Sequence, residues 1–330
     1  MTFSVGYGPI TVQRAADDPR QTEMIWQDAL RNAREAEDAG FTSIWVGEHH
    51  FTPDGYLSGV FPFLGALAAA TKRVLLGTKV LLAPLHHPIR VAEDAAAIQL
   101  LSGGRFVLGA AIGYREEEFE GLGVSLRDRR ARLERFVRVC RAAWAGEPIP
   151  TGGDVRGSVD MPAVGAPIPI WLGGRAAPAL RRVGRMADGY VAPVGPVGDL
   201  IAQVRAIDEA SSEAGRHELP VASSSFVVLR GPGLGADRVR QRLDGLLGFY
   251  AQHKADDPYS RVGRPGRSQT MVIDGPPEEV ATRLLEFKDA FPTRREHHHV
   301  VRIEFPGMTG DEVARSTAAF SERVLPELIA

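Results

Sequence analysis

The sequence predicts a (β/α)8 TIM barrel, on three observations. Eight short apolar runs recur along the 330 residues, each followed by a stretch with helical spacing. The runs are nearly continuous in apolar residues, as parallel strands covered on both faces should be. The second run, Ile44-Trp45-Val46-Gly47, opens directly into Glu48-His49-His50. A β/α fold keeps its chemistry at such strand ends. An open doubly wound sheet is the alternative architecture.

The elements follow in order. Residues 3–8 read as a first strand and 11–22 as a polar loop. Ile25, Ala29, Ala33 and Ala36 lie at helical spacing, and Gly40 stops that helix. The second strand is 42–46. Phe61–Ala70 reads as a helix, and Val74–Ala83 as one long apolar strand ended by Pro84. Pro88 starts the next helix, and Arg105–Ala111 is a fourth strand. Ser125 and Asp128 have capping-box-like spacing ahead of a helix bearing Leu133, Phe136, Val137, Cys140 and Trp144 on one face. Strands are expected at 168–172, 188–192, 221–230 and 300–305, with helices between them and after the last. His297-His298-His299 precedes the eighth strand and reads as a solvated loop.

The chain is taken as one domain, residues 1–330, since α/β barrels often run this long. With 44% hydrophobic and 24% charged residues it has the composition of a globular protein. A formal net charge of -2 leaves no basic excess for nucleic acid or an anionic membrane. A single cysteine, Cys140, excludes an intrachain disulfide. No basic leader precedes an apolar run at the start, and no apolar stretch reaches spanning length, so a cytoplasmic protein is expected.

Several constellations carry chemistry. Alternate residues of a strand face opposite sides, so Glu48 and His49 point different ways if the strand continues. His49 could exchange a proton near neutral pH; a histidine pair that merely caps the strand is the plain alternative. His86-His87-Pro88 follows the third strand and has the look of a turn, although with His49 and His50 it could complete a metal site. The first strand ends in Tyr7-Gly8 and supplies no ligand, so no metal is assigned. Lys79 interrupts an apolar strand, and a charge is not buried there without a partner, so either Lys79 reaches the mouth or the strand bulges at that point. Gly173-Gly174-Arg175-Ala176 offers bare backbone N–H groups at a helix start, an anion site in form. Ile112-Gly113-Tyr114 ends the small-residue run Gly109-Ala110-Ala111, where a flat ring could lie against backbone, or where a tight turn simply closes.

Taken together, these stretches resemble the bacterial-luciferase-like flavin-dependent monooxygenase family, which includes a branch that uses coenzyme F420. The likeness rests on Gly40–Phe51, on Gly77-Thr78 through Leu85–Arg90 and Ala92-Glu93-Asp94, on Leu101–Phe106, on Gly113-Tyr114 with Glu118-Phe119, and on Phe305–Met308. It implies a barrel that binds a reduced flavin at its C-terminal mouth, with His49 as the active-site histidine and Glu48 as its orienting partner. It implies a bulge, often a non-proline cis peptide, at Lys79-Val80. It places the cofactor's phosphate on the helix start at Gly174-Arg175-Ala176 and a mobile active-site loop at 254–268. Where luciferase has a phosphate-binding arginine this chain has Ile112, so backbone N–H groups, Arg175 or Arg115 would substitute. Its reactive cysteine position matches Ala111, so light emission is not expected. The implied activity is insertion of one oxygen from O2 into a small organic substrate, with reduced FMN from a separate flavin reductase. The Glu-His-His-Phe run leans toward FMN over F420. A deazaflavin-dependent dehydrogenase, a non-catalytic flavin-binding protein and a metallohydrolase barrel are the rivals. The family often forms dimers, so a homodimer is expected.

Overall fold

A computed structural model describes residues 2–149, 167–255, 272–291 and 295–329. The strands are β1 (Thr2–Ile10), β2 (Ser43–Val46), β3 (Leu75–Thr78), β4 (Leu81–Leu82), β5 (Phe106–Ala111), β6 (Ile170–Gly173), β7 (Gly189–Val191), β8 (Val221–Leu229), β9 (Val272–Gly275) and β10 (Glu296–Arg302). Pairing runs β10-β1-β2-β3-β5-β6-β7-β8, and β8 pairs back onto β10. Every pairing is parallel, so eight strands close a TIM barrel. An open sheet is excluded by that closure.

The helices are α1 (Thr22–Asp38), α2 (Val60–Ala70), α3 (Pro88–Leu101), α4 (Glu116–Gly121), α5 (Arg129–Ala145), α6 (Ala177–Met186), α7 (Val197–Glu213), α8 (Ala236–Ala255), α9 (Pro277–Asp289), α10 (Gly310–Arg323) and α11 (Leu325–Ile329). The stripes anticipated from spacing face the strands: Ile25, Ala29, Ala33 and Ala36 of α1 are all buried, as are Leu133, Phe136, Val137 and Cys140 of α5. Gly40 follows α1 with φ +95, a conformation that a side chain would resist. The barrel interior is a smaller apolar cluster of Trp45, Val107, Trp171, Val191, Ala222 and Val300.

The structure departs from the sequence reading at several places. The long third strand is two pieces, because the chain breaks its pairing at Lys79-Val80, where the peptide bond is cis, and resumes as β4 against β5. β8 is long enough to serve two neighbours. Val221 through Phe226 pair β10, and Phe226 through Leu229 pair the unanticipated β9. The short acidic helix α4 was also missed, and the Ser125 side chain makes no cap hydrogen bond. Residues 126–128 form a 3-10 turn and α5 begins at Arg129. A capping box does form, at Thr309 and Glu312 ahead of α10.

His297-His298-His299 is not a loop but the body of β10, and all three rings are buried. His298 faces the interior, beside Trp45 and Trp171. His297 and His299 face outward to Phe291 and Phe287 near α9, and both hydrogen-bond Ser223 Oγ, at 2.6 and 2.7 Å. The serines of β8 therefore take both nitrogens of His299 and one of His297, whose Nδ1 has no hydrogen-bond partner among the described residues, and polarity alone was a poor guide to exposure. Burial, reinforced by the charge of His298, pushes His297 down to about 3, so it stays neutral in the fold. Most of the 254–268 stretch lies outside the described residues. Among those described, no helix is long and apolar enough to cross a membrane.

At the strand-three break the backbones of β3 and β5 close in on each other. Thr78 Oγ1 donates to Gly109 O at 2.6 Å, and a Cβ on Gly109 would lie 1.9 Å from Thr78 O. Gly109→Ala is therefore expected to cost about 3 kcal/mol or more, read as a lower urea midpoint.

Candidate active site

The end of β2 splits into two faces, as strand geometry requires. Trp45 fills the interior, and His49, of the same parity, sits in the barrel mouth. Its ring meets Tyr56 edge-on, with centroids 4.8 Å apart, and Tyr114 at 5.8 Å. Its Nδ1 lies 2.8 Å from Glu118 Oε1. The same oxygen accepts the backbone N–H of His50 at 2.9 Å, and Arg115 Nη1 lies 3.4 Å away. Arg115 also donates to His50 O at 2.8 Å. Glu118 is fully buried, and its other oxygen, Oε2, has no hydrogen-bond partner. A buried carboxylate on Nδ1 fixes the neutral ring's proton there and leaves Nε2 as the nitrogen able to accept one.

Glu48 goes the other way. Its carboxylate is also buried, and it accepts hydrogen bonds from the N–H of Leu82, from His50 Nε2 at 3.0 Å and from His86 Nε2 at 2.6 Å. Burial works against the charged form, but the charge of His86 and the hydrogen bonds of His50, His86 and Leu82 outweigh it and hold Glu48 at about 2. His50 is raised above its ordinary value: burial opposes this, while the bond to Glu48 and its charge prevail. Glu48 is thus not the orienting partner of His49, as the sequence had suggested. Strand alternation sets the two apart, and Glu118 takes that place. His86, read as a turn residue, is instead part of the clamp that ties the end of β2 to β4. Glu48, His50 and His86 have the composition of a metal site, with ligand atoms within 4.8 Å of one another. Their closest approaches, 2.6 and 3.0 Å, are hydrogen-bond spacings. Ligands around a tetrahedral zinc lie about 3.3 Å apart.

Lys79 does two things the sequence left as alternatives. The strand breaks there, and the side chain reaches into the mouth, where Nζ donates to Ala192 O at the end of β7 at 2.8 Å. Desolvation drags its amine down from 10.5 to about 7. Beside it, Val80 faces Gly173, where an added Cβ would sit 3.5 Å from Val80 Cγ1 and from Ala111 Cβ. Gly174 has φ +145, and its carbonyl accepts the hydroxyl of buried Tyr190 at 2.8 Å. Ala176 caps α6 without a side-chain bond; Pro178 has no N–H and those of Ala179 and Leu180 go to Ala176 O, which leaves the Ala177 N–H for a ligand at that helix start. Arg175 is exposed and donates to Val194 O. Gly173 has no side chain and Ala111 only a methyl group, with Val80 Cγ1 beside them, and that cradle fits a flat ring with an anionic tail at α6.

Of the residues singled out from sequence, His49, Lys79, Val80, Gly173 and Gly174 gather at the mouth, with Tyr114 against His49 and Arg175 and Ala176 at the rim. Gly113, with φ +69, makes the turn after β5 and accepts Arg129 through its carbonyl at 3.0 Å, while Ile112 packs toward the outer core. Arg115, considered for a phosphate, is 5% exposed and committed to His50 and Glu118, so it is unavailable to one. Glu118 and Tyr56 were missed as site residues. Glu118 stood in the run Glu116-Glu117-Glu118 with nothing to mark which carboxylate turns inward.

A family model for the luciferase-like monooxygenases matches residues 7–294. The chain belongs to that family. A luciferase-like relative, the F420-dependent glucose-6-phosphate dehydrogenase of Beutenbergia cavernae, is 27% identical over 316 residues, 92% of each chain. A monooxygenase from Streptomyces bottropensis superposes with a TM-score of 0.81 at 21% identity, covering 99% of both chains. The oxygenating constituent of 3,6-diketocamphane monooxygenase of Pseudomonas putida, solved with FMN, superposes at 0.73 with 18% identity, over 99% of this chain and 98% of that one. The fold is thus the luciferase-like barrel, and the chain is an oxidoreductase of a family whose cofactors are FMN or F420.

The Glu48 clamp has a pH signature. Its folded pKa lies below the ordinary 4.5, so its contribution is complete above that value and is lost as pH falls toward 2. Glu48→Gln is expected to lower stability by about 3 kcal/mol near neutral pH. In denaturant titrations at a series of pH values, the gap to wild type should close between pH 4.5 and 2.

Proposed function

We propose that this enzyme is a flavin-dependent monooxygenase that uses reduced FMN and O2 to insert one oxygen into a small organic substrate. The observation that carries the reading is the buried His49–Glu118 pair at the end of β2, in a barrel whose β5 and β6 ends present Ala111 and bare Gly173 beside Val80. Reduced FMN, when bound, supplies the electrons that activate O2. The chain's own residues do the rest. Val80, Gly173 and the backbone after β5, at Gly113-Tyr114, would hold the ring. Gly174, Arg175 and Ala176 would hold its phosphate through N–H groups and one guanidinium. His49 moves a proton at Nε2, with Glu118 fixing the orientation of the ring through Nδ1. Arg115 lies 3.4 Å from the same Glu118 oxygen and braces it. Tyr56 and Tyr114 wall the imidazole from water. Glu48 is a positioning residue that anchors the strand end bearing His49. In this reading the enzyme is a cytoplasmic homodimer served by a separate flavin reductase, and the whole chain is one domain.

A second reading is an F420-dependent dehydrogenase, favoured by the relative similar along 92% of both chains. His49 would then take the substrate's proton as hydride leaves for the cofactor.

Anaerobic titration with reduced FMN and with reduced F420, followed by admission of O2, separates the two. Binding of reduced FMN with O2 uptake matched to oxygenated product is the expected result. Binding of the deazaflavin alone, with no O2 uptake, replaces the first reading with the second. His49→Ala should slow turnover by about 100-fold or more, with cofactor affinity little changed. Glu118→Gln should slow it less. Unchanged turnover in His49→Ala rules out the proton-transfer role.

A further inference from the structure

Lys79 is the feature of the mouth that proton transfer does not use. It continues the inward register of Leu75 and Gly77, whose neighbours are the Trp45 ring and the interior cluster. From the break after β3 its side chain crosses to the end of β7, passing over β5 and β6 in the barrel order. Its one hydrogen bond there is to a carbonyl, Ala192 O. Both carboxylates near His49 are engaged elsewhere, Glu48 by His50 and His86 and Glu118 by His49 and Arg115. Among the described residues no carboxylate pairs with Lys79. An amine drawn out of water without a counter-ion is costly, and a methionine of similar length would fill the same space without that cost. The amine is therefore kept against the interest of the fold, and it lies where the cofactor ring belongs in the proposed reading.

A flavin ring changes charge with oxidation state. Two electrons and one proton convert the neutral oxidised ring to a reduced ring that is an anion near neutral pH. We propose that Lys79 is the counter-ion of the reduced flavin, so that the mouth takes up the reduced ring in preference to the oxidised one. A charge-assisted contact inside a partly dehydrated site is worth far more than one in water. The oxidised ring forfeits it and restores the lone Lys79–Ala192 bond. Lys79 thus acts on cofactor exchange: an enzyme that borrows its reduced flavin from another protein gains by filling with the reduced form and discarding the spent one. The inference rests on the FMN reading.

The test is equilibrium binding of oxidised and reduced FMN, the latter prepared anaerobically with dithionite, to wild type, Lys79→Met and Lys79→Arg. Wild type should favour the reduced form. Lys79→Met should bind oxidised FMN within about twofold of wild type and lose about tenfold or more for reduced FMN. Lys79→Arg should restore most of that loss. Thermal melting accompanies the series, with Lys79→Met expected at or above the wild-type midpoint. The wild type alone supplies a second reading: the midpoint potential of bound FMN should lie above that of free FMN. A reduced-to-oxidised affinity ratio that survives Lys79→Met, or a bound potential at or below the free value, overturns the role of Lys79 and leaves the FMN reading intact. A wild type that binds neither form of FMN overturns both.

Discussion

The alternation of side chains at the end of β2 is the constraint on which the site depends. Two residues apart, Glu48 and His50 share one face, and between them His49 takes the other. Each face then needs its own buried carboxylate. Glu48 binds the strand end to β4 through the Leu82 N–H and to His86 beyond it. Glu118, delivered by α4, receives His49 Nδ1 and the His50 N–H on one oxygen. A one-residue slip of β2 would exchange the two sets and turn the Glu48 clamp to the face that His49 now occupies. The clamps hold that register together.

The barrel was legible because its signal is repeated. Apolar runs and helical stripes recur around the ring, so errors at single boundaries do not alter the architecture. The position of His49 was legible for a related reason: strand ends in such a barrel all open at one face. What escaped reading was decided by partners distant in sequence. Glu118 is 69 residues from His49, and Ser223 is 74 from His297. Nothing local in Glu116-Glu117-Glu118 marks the inward carboxylate, and nothing local in His297-His298-His299 announces that the serines of β8 will make burial tolerable. β9 was missed because four residues, two of them Asp274 and Gly275, carry no strand signal of their own.

The acid response follows from the same buried groups. His297 stays neutral in the fold well below 6.5, so the unfolded chain binds the extra proton and stability falls as pH drops through that value. The loss from Glu48 begins lower, below 4.5. Histidines packed against α9 and a carboxylate packed against β4 therefore weaken the protein in successive stages.

Beneath the mouth, Trp45 and Trp171 meet across the barrel with ring centroids 5.8 Å apart, and His298 lies 5.5 Å from Trp171. These rings stopper the lumen. At that depth side chains, not solvent, fill the barrel, so whatever the chain holds beside His49 rests on a floor of aromatic rings rather than over an open channel.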